Sequence, residues 1–262
     1  MDLVQVERKG PVVHVRFNRP ERHNALLPEM WQEMRALGVR LRDDDTIAAV
    51  VLSGNGPSFC SGIDRQALAE GVLTPFGFTG DPADRHRTHF TERDVESAQQ
   101  QASWLADADF VTIAAVRGYA LGAGAQYAMA CDIRLVATDA VFALPEMEIG
   151  LFPEMSAVAH LPHLVGYDRA LELALTARRI DAAEAYRLGL ATRLVEPDQL
   201  DAAAAELATS LAGRSPVAAR HCKRAMRLGA AGDVDGSLRV ARAGGVQLLS
   251  QLITDWSGRG AT

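Results

Sequence analysis

Residues 111–133, VTIAAVRGYALGAGAQYAMACDI, decide the fold of this chain. The apolar run 111–116 is short enough for a buried strand, and the alanine-rich run 126–131 predicts a packed helix. Between them lies the small-residue bend 118–124, whose glycines permit positive φ and close approach to the backbone. Amides at the start of the following helix have no intrahelical partner. The stretch therefore predicts a site whose backbone amides stabilise negative charge that develops on a bound group. A tight turn that binds nothing would show the same pattern.

Three further motifs distinguish these alternatives, namely Asn24-Ala25-Leu26, residues 58–64 (SFCSGID) and residues 145–153 (PEMEIGLFP). Together with residues 111–133 they resemble, in order, the motifs of the enoyl-CoA hydratase/isomerase (crotonase) superfamily. The resemblance extends over about residues 4–223. It implies a crotonase-like α/β fold, a spiral of ββα units with a C-terminal helical segment. It also implies an acyl-CoA thioester as the small-molecule substrate, with CoA entering as part of that substrate and no separate cofactor.

Composition and charge exclude several classes of protein. The chain has 262 residues, of which 48% are apolar and 23% charged, as expected of a globular protein. Its formal net charge of -6 disfavours nucleic-acid binding. No apolar run approaches the roughly 20 residues of a membrane span, and the first ten residues lack the apolar core of a signal peptide. Three widely spaced cysteines form no metal-binding pattern. We therefore expect a cytoplasmic protein with free thiols and no metal site.

Hydrophobic periodicity predicts the other elements. Asp181 and Glu184 predict a helix start, and Gly189 predicts its end. The predicted strands are 3–7, 12–17, 48–53, 133–137, 140–143 and 191–195, and the predicted helices are 26–41, 95–108, 156–164, 168–177, 182–188, 200–212, 216–226 and 233–250.

Only helices are predicted beyond Glu196, which places a boundary there. Residues 1–196 are the expected α/β core with the acyl-CoA site, and residues 197–262 the helical C-terminal segment. The resemblance implies that this segment is used for oligomerisation, as a homotrimer or hexamer.

Residues 71–94 form the least regular stretch, since Gly, Pro, Asp and Thr interrupt every periodic pattern. A long irregular loop is typical of a functional lid or a disordered segment. We interpret His86 and His89 as a solvated pair of histidines and not as a metal site, because no third ligand lies nearby in sequence. The resemblance implies that this region flanks the acyl chain and tunes the choice of substrate.

The resemblance also implies an oxyanion hole, in which two backbone N–H groups stabilise the enolate of the thioester. By position these are the amides of Ile63 and Ala123. The resemblance implies that Lys223 contacts a CoA phosphate, and a solvated surface lysine is the alternative. Arg22 and Arg65 are further candidates for phosphate contact, with the same alternative. The residues that the resemblance assigns to substrate or CoA binding are Asn24, Ala25, Leu26, Ser61, Gly62, Asp64, Gly122 and Lys223.

Two positions decide which reaction is expected. Hydratases of the family use two glutamates, which correspond here to Gln126 and Glu146. Glutamine cannot take a proton at neutral pH, so the standard two-glutamate hydration is not expected. One carboxylate suffices for double-bond isomerisation, and enoyl-CoA isomerases of the superfamily are similar in relying on a glutamate at the position of Glu146. Apolar neighbours are expected to raise its pKa, namely Phe142, Leu144 and Met147.

Glu154 departs from the family pattern, which usually has Gly after the proline occupied here by Pro153. Dienoyl-CoA isomerases are similar in placing an acid at this position. One expectation is therefore that Glu154 pairs with Glu146 as a second catalytic carboxylate, in place of the one lost at Gln126. The alternative is an acid that stabilises the N-terminus of the following helix.

We predict from the sequence an enoyl-CoA isomerase with Glu146 as base. Hydration of a trans-2-enoyl-CoA is the alternative reaction. A non-catalytic acyl-CoA-binding protein is the alternative of another class, and the loss of a carboxylate at Gln126 motivates it.

Overall fold

The computed structural model describes residues 2–69 and 91–259. A six-stranded sheet with the strand order β1-β2-β3-β4-β6-β9 forms the centre of the fold. Its first pair is antiparallel and the other four pairs are parallel. The strands are β1 (Val4–Lys9), β2 (Val12–Phe17), β3 (Ala49–Gly54), β4 (Val111–Val116), β6 (Ile133–Ala137) and β9 (Arg193–Val195).

A second sheet has three short strands in the order β5-β7-β8. These are β5 (Tyr119–Leu121), β7 (Val141–Ala143) and β8 (Ile180–Asp181). The sequence predicts β7, but it predicts a continuous bend where β5 lies and no strand at β8. Both strands are too short to show a period, and they exist because β7 pairs with each of them.

Ten helices surround the sheets in the described part of the chain. They are α1 (Pro28–Arg42), α2 (Arg65–Ala69), α3 (Glu92–Asp107), α4 (Ala123–Ala130), α5 (Ala157–Val165), α6 (Tyr167–Thr176), α7 (Ala182–Leu188), α8 (Leu200–Ala212), α9 (Pro216–Ala230) and α10 (Val234–Arg259). None of them is long and apolar enough to cross a bilayer.

Alternation along β2 explains why the large sheet has two apolar faces. Val13, Val15 and Phe17 point into the main core, which includes the buried faces of α1, α3 and α4. Val12 points to the other side, into a second core beneath α8. The helix α8 contributes Leu200, Ala204 and Ala208 to that core, although the predicted boundary at Glu196 places it in the C-terminal segment. By contrast, α9 and α10 pack chiefly against each other.

Most element predictions are confirmed, and the differences have local causes. The Asp181 carboxylate accepts a hydrogen bond from the Glu184 amide, and Gly189 ends α7 with a φ of 87°. The predicted loop 145–153 contains a 3₁₀ turn, Pro145–Ile149. The irregular stretch predicted to end at residue 94 ends earlier, because α3 begins at Glu92. The rest of that prediction, with His86 and His89, lies outside the described residues.

Candidate active site

Three separate chain segments meet beside the bend that follows β4. A parallel bridge joins Leu26 to Ile63, and a second bridge joins Cys60 to Ala120 in β5. The Leu26 amide donates to the Gly62 carbonyl at 2.7 Å. The structure therefore places the Asn24-Ala25-Leu26, 58–64 and 118–124 motifs next to one another, although they extend over residues 24–124 of the sequence.

Two glycines make this close approach possible. Gly62 has a φ of 87°, and a Cβ on it would lie 2.7 Å from the Leu121 carbonyl oxygen. At Gly124 a Cβ would lie 2.2 Å from the Cys60 carbonyl oxygen. Both distances are too short for any side chain, so glycine is required for backbone contact at each position.

The amides of Ile63 and Ala123 lie on neighbouring backbones. A Cβ on Gly62 would be 3.6 Å from the Ala123 nitrogen. Ala123 is the first residue of α4 and follows Gly122, whose φ is 51°. Within the described ranges, neither N–H group donates a hydrogen bond to another residue. Two free amide donors close together, one of them at the start of a helix, are what an oxyanion hole requires.

Glu146 lies against this bend, in the 3₁₀ turn Pro145–Ile149. Its Oε1 accepts a 2.9 Å hydrogen bond from Gln126 Nε2 and would be 3.4 Å from a Cβ on Gly122. Its Oε2 is buried and has no hydrogen-bond partner among the described residues. One carboxylate oxygen is thus held in place, and the other is free to accept a proton.

Gln126 is 1% exposed and is hydrogen-bonded at both ends of its side-chain amide. Its Oε1 accepts hydrogen bonds from the amides of Ser156 and Ala157, at 2.9 and 3.2 Å. Its Nε2 must therefore be the atom that faces Glu146. The Ser156 hydroxyl also donates to the Gln126 carbonyl at 2.6 Å, which joins α4 to the start of α5.

Burial raises the pKa of Glu146 to about 7. Its own backbone amide and Gln126 oppose this rise, whereas the nearby Glu154 carboxylate adds to it. Phe142 and Leu144, which were expected to desolvate the site, are 1% and 3% exposed, but Met147 is 39% exposed. A carboxyl group with a pKa near neutrality can both take and return a proton.

Glu154 is 8% exposed and lies close enough to Glu146 to raise the pKa of that group. Burial also raises the pKa of Glu154 itself. No other described residue donates a hydrogen bond to its carboxylate. The backbone is fixed instead, because Glu154 N–H donates to the Phe152 carbonyl at 2.8 Å and Gln99 Nε2 donates to the Glu154 carbonyl at 2.9 Å.

Asp64 and Asn24 have polar side chains that are committed to the protein. Asp64 is 3% exposed, and its Oδ2 accepts a 2.5 Å ionic hydrogen bond from Arg19. Burial alone would raise its pKa, but Arg19 and the amides of Ala67 and Gln66 outweigh burial, so the pKa is lowered. Asn24 is fully buried, and its amide donates to the Asn55 and Ser58 carbonyls. Both side chains fix the backbone that carries the Ile63 amide.

The remaining predicted residues fall into two groups. Ala25, Leu26 and Ser61 lie in the segments that flank Gly62. Lys223 does not join them within one chain: its Nζ donates to the Phe110 carbonyl, just before β4, and to Asp132, just before β6. The bend with Gly122 follows the other end of β4. Arg65 forms a 3.8 Å ion pair with Glu148, and both are exposed.

Sequence reasoning missed Arg19 and Gln99, each of which holds a site residue from a distant segment. Neither lies in a motif, and in a single sequence no periodic or capping signal marks them. No group of three metal-ligating side chains occurs in the described ranges 2–69 and 91–259.

Comparison with known proteins identifies the family of this chain. The enoyl-CoA hydratase/isomerase family model matches residues 7–253. The short-chain-enoyl-CoA hydratase of Clostridium acetobutylicum is 35% identical over 91% of this chain and 86% of its own length. The human mitochondrial Delta(3,5)-Delta(2,4)-dienoyl-CoA isomerase is 37% identical over 81% of this chain and 64% of its own length.

A crystal structure of enoyl-CoA hydratase from Bacillus anthracis superimposes with a TM-score of 0.82, at 26% identity over 95% of this chain and 92% of that one. A protein from Thermobifida fusca assigned as an enoyl-CoA hydratase, in complex with acetoacetyl-CoA, also has a TM-score of 0.82, at 35% identity over 95% of both chains. The chain belongs to the enoyl-CoA hydratase/isomerase (crotonase) superfamily.

Proposed function

We propose that this protein is an enoyl-CoA isomerase, which moves a double bond along the acyl chain of an acyl-CoA thioester. The observation that carries the proposal is the Gln126–Glu146 hydrogen bond, which leaves Oε2 of Glu146 as a free basic oxygen. Gln126 supplies no second ionisable group of the kind needed to activate water. Relatives with both hydratase and isomerase names match the chain, so the argument rests on these side chains.

In the proposed reaction, Glu146 Oε2 removes the α-proton of a 3-enoyl thioester. The electrons move into a dienolate, whose oxygen accepts hydrogen bonds from the Ile63 and Ala123 amides. Protonation at the γ-carbon then gives the 2-enoyl thioester and restores the carboxylate. Glu154 is the proposed second acid, since it is buried beside Glu146 and has a raised pKa. A second proton donor would extend the reaction to dienoyl thioesters, in which the two carbons lie farther apart.

A turnover assay in deuterated buffer tests this proposal. Purified protein is incubated with cis-3-enoyl-CoA, 3,5-dienoyl-CoA and trans-2-enoyl-CoA, and the products are followed by mass spectrometry. Bond migration with deuterium incorporation and no gain of water supports the isomerase. Fast addition of water to trans-2-enoyl-CoA would overturn it in favour of a hydratase. Binding of acyl-CoA with no turnover of any substrate would indicate a non-catalytic binding protein.

We further propose that the chain assembles into a homotrimer or hexamer through its C-terminal helices. Four apolar side chains of α10 lie three or four residues apart on one exposed stripe, and apolar patches of this kind are typical of interfaces. They are Val246, Leu249, Ile253 and Trp256. Light scattering coupled to size-exclusion chromatography should give a trimer or hexamer mass, and Ile253→Glu should lower it. A monomer at micromolar concentration would contradict the proposal.

A further inference from the structure

The loop that carries Glu154 is held from two sides, and only one of the two attachments reaches Glu154 itself. On the C-terminal side, Ser156 and Ala157 are bonded to Gln126. The other attachment is the 2.9 Å hydrogen bond from Gln99 Nε2 to the Glu154 carbonyl oxygen. This bond links the middle of α3 to a residue 55 positions later.

No other described residue holds the Glu154 carboxylate in place by a hydrogen bond or an ion pair. No cation or hydrogen-bond donor of another described residue contacts the carboxylate, although the residue is only 8% exposed. Its position therefore depends on its backbone. Pro153 removes one backbone donor immediately before it, and the short bond from Glu154 N–H to the Phe152 carbonyl bends the chain at this point. At this bend the Glu154 carbonyl needs a hydrogen-bond donor from another segment, and Gln99 supplies it.

We infer that Gln99 is a positioning residue, which fixes the Glu154 backbone so that the two buried carboxylates stay adjacent. The inference rests on the proposed role of Glu154 as the second acid. Among the described residues, Gln99 forms no hydrogen bond with Glu146 or with the amides of Ile63 and Ala123, so we expect it to act through Glu154. Loss of its hydrogen bond would let residues 152–155 relax while the Gln126 clamp stays in place.

The chain offers a matched control on the same helix. Gln100 follows Gln99 and is exposed, and among the described residues its side chain donates to Glu96 within α3. Methionine approximates the shape of glutamine and forms helices about as well, but it has no N–H donor. Gln99→Met and Gln100→Met therefore make the same change to α3, and only the first removes a bond to the site.

The experiment is a double-mutant cycle of Gln99→Met and Glu154→Gln, with Gln100→Met as control. The pH dependence of kcat and of KM is measured for whichever acyl-CoA the protein turns over. We expect Gln99→Met to lower kcat by roughly 3- to 10-fold, the worth of one hydrogen bond, with KM unchanged. The acid limb of its pH–kcat profile should move to lower pH, as in Glu154→Gln, because the Glu154 charge then raises the pKa of Glu146 less. The double variant should match Glu154→Gln alone.

Different outcomes overturn different claims. A Glu154→Gln variant with wild-type kinetics rejects Glu154 as the second acid, and the role of Gln99 with it. An impaired Glu154→Gln combined with a normal Gln99→Met rejects Gln99 only. If the kcat losses of the two single variants multiply in the double variant, Gln99 acts through the fold and not through Glu154. An equal loss of kcat in Gln100→Met would show the same. If Gln99→Met does not fold, Gln99→Ala is tested in the same cycle.

Discussion

Gln126 Nε2 donates a 2.9 Å hydrogen bond to Glu146 Oε1, and the proposed chemistry of the site depends on this pair. The amide holds the carboxylate without competing for a proton, since glutamine does not titrate. The same glutamine accepts two amide hydrogen bonds from the start of α5, so it cannot rotate without breaking three bonds. One residue thus orients the proposed base and fixes the loop that follows it.

Glu146→Gln should abolish proton transfer while acyl-CoA binding persists, because the oxyanion-hole amides are unchanged. A positioned base contributes about 10²- to 10⁴-fold to rate, and a loss of this size is expected in deuterium exchange at the α-carbon. Glu148→Gln is the matched control, since Glu148 lies in the same turn and is exposed. Wild-type exchange in the Glu146 variant would reject it as the base.

The activity should rise with pH through about 7, the pKa that burial gives to Glu146, because only the ionised carboxylate accepts the proton. Glu154→Gln should shift this limb to lower pH, since the Glu154 charge raises the pKa of Glu146. The measurement is kcat/KM between pH 5 and 9. A limb that is unmoved in the Glu154 variant would show that the two carboxylates do not interact.

Glu146→Gln should also stabilise the fold at alkaline pH. The pKa of Glu146 is about 7 in the folded state, against 4.5 as its ordinary value. Its contribution is fully present below pH 4.5 and is lost as pH rises through 7. Ionisation therefore costs roughly 3 kcal/mol above that range. Urea unfolding should show the variant to be more stable than wild type at pH 8.5 and equal to it near pH 4.5. Equal stability at both pH values would contradict the burial of an ionisable carboxyl.

Gln126→Glu should increase hydration of trans-2-enoyl-CoA by about tenfold or more, within the range of a positioned acid–base group. The Ser156 and Ala157 amides would continue to donate to residue 126 and would favour its charged form. The new charge should also raise the pKa of Glu146 further. Gln126→Met is the control, because it also removes the Nε2 donor to Glu146 but adds no carboxylate. Equal hydration rates in both variants would contradict the expected gain.

Asp64→Asn should lower both stability and kcat. Breaking a buried ion pair costs about 3 kcal/mol or more when the partner is left buried, and Arg19 is 17% exposed, so a smaller cost of roughly 2 kcal/mol is expected. Asp64 directly follows Ile63, so loss of the ion pair should also displace the Ile63 amide. A displaced amide should lower kcat. Glu7→Gln, which removes surface ion pairs with Lys9 and Arg16, should leave the melting temperature unchanged. A fully active Asp64 variant would show that the pair does not position this amide.

The sequence alone determined the strands of the large sheet, the glycine-dependent bend and the helices other than α2. These depend on local periodicity and on backbone freedom, and β2, β4 and β6 have the predicted bounds. It also marked Gln126, Glu146 and Glu154, because motif order and residue chemistry are visible along the chain.

Only the tertiary structure decided how these residues act. The short strands β5 and β8 exist through pairing with β7, which no local pattern shows. The commitment of Asp64 to Arg19, the hold of Gln99 on Glu154 and the single free oxygen of Glu146 depend on contacts over 45, 55 and 20 residues. The pKa of Glu146 likewise depends on burial by segments distant in sequence. Such contacts form only when the packed core brings these segments together. They therefore cannot be predicted from the local sequence pattern of any one segment.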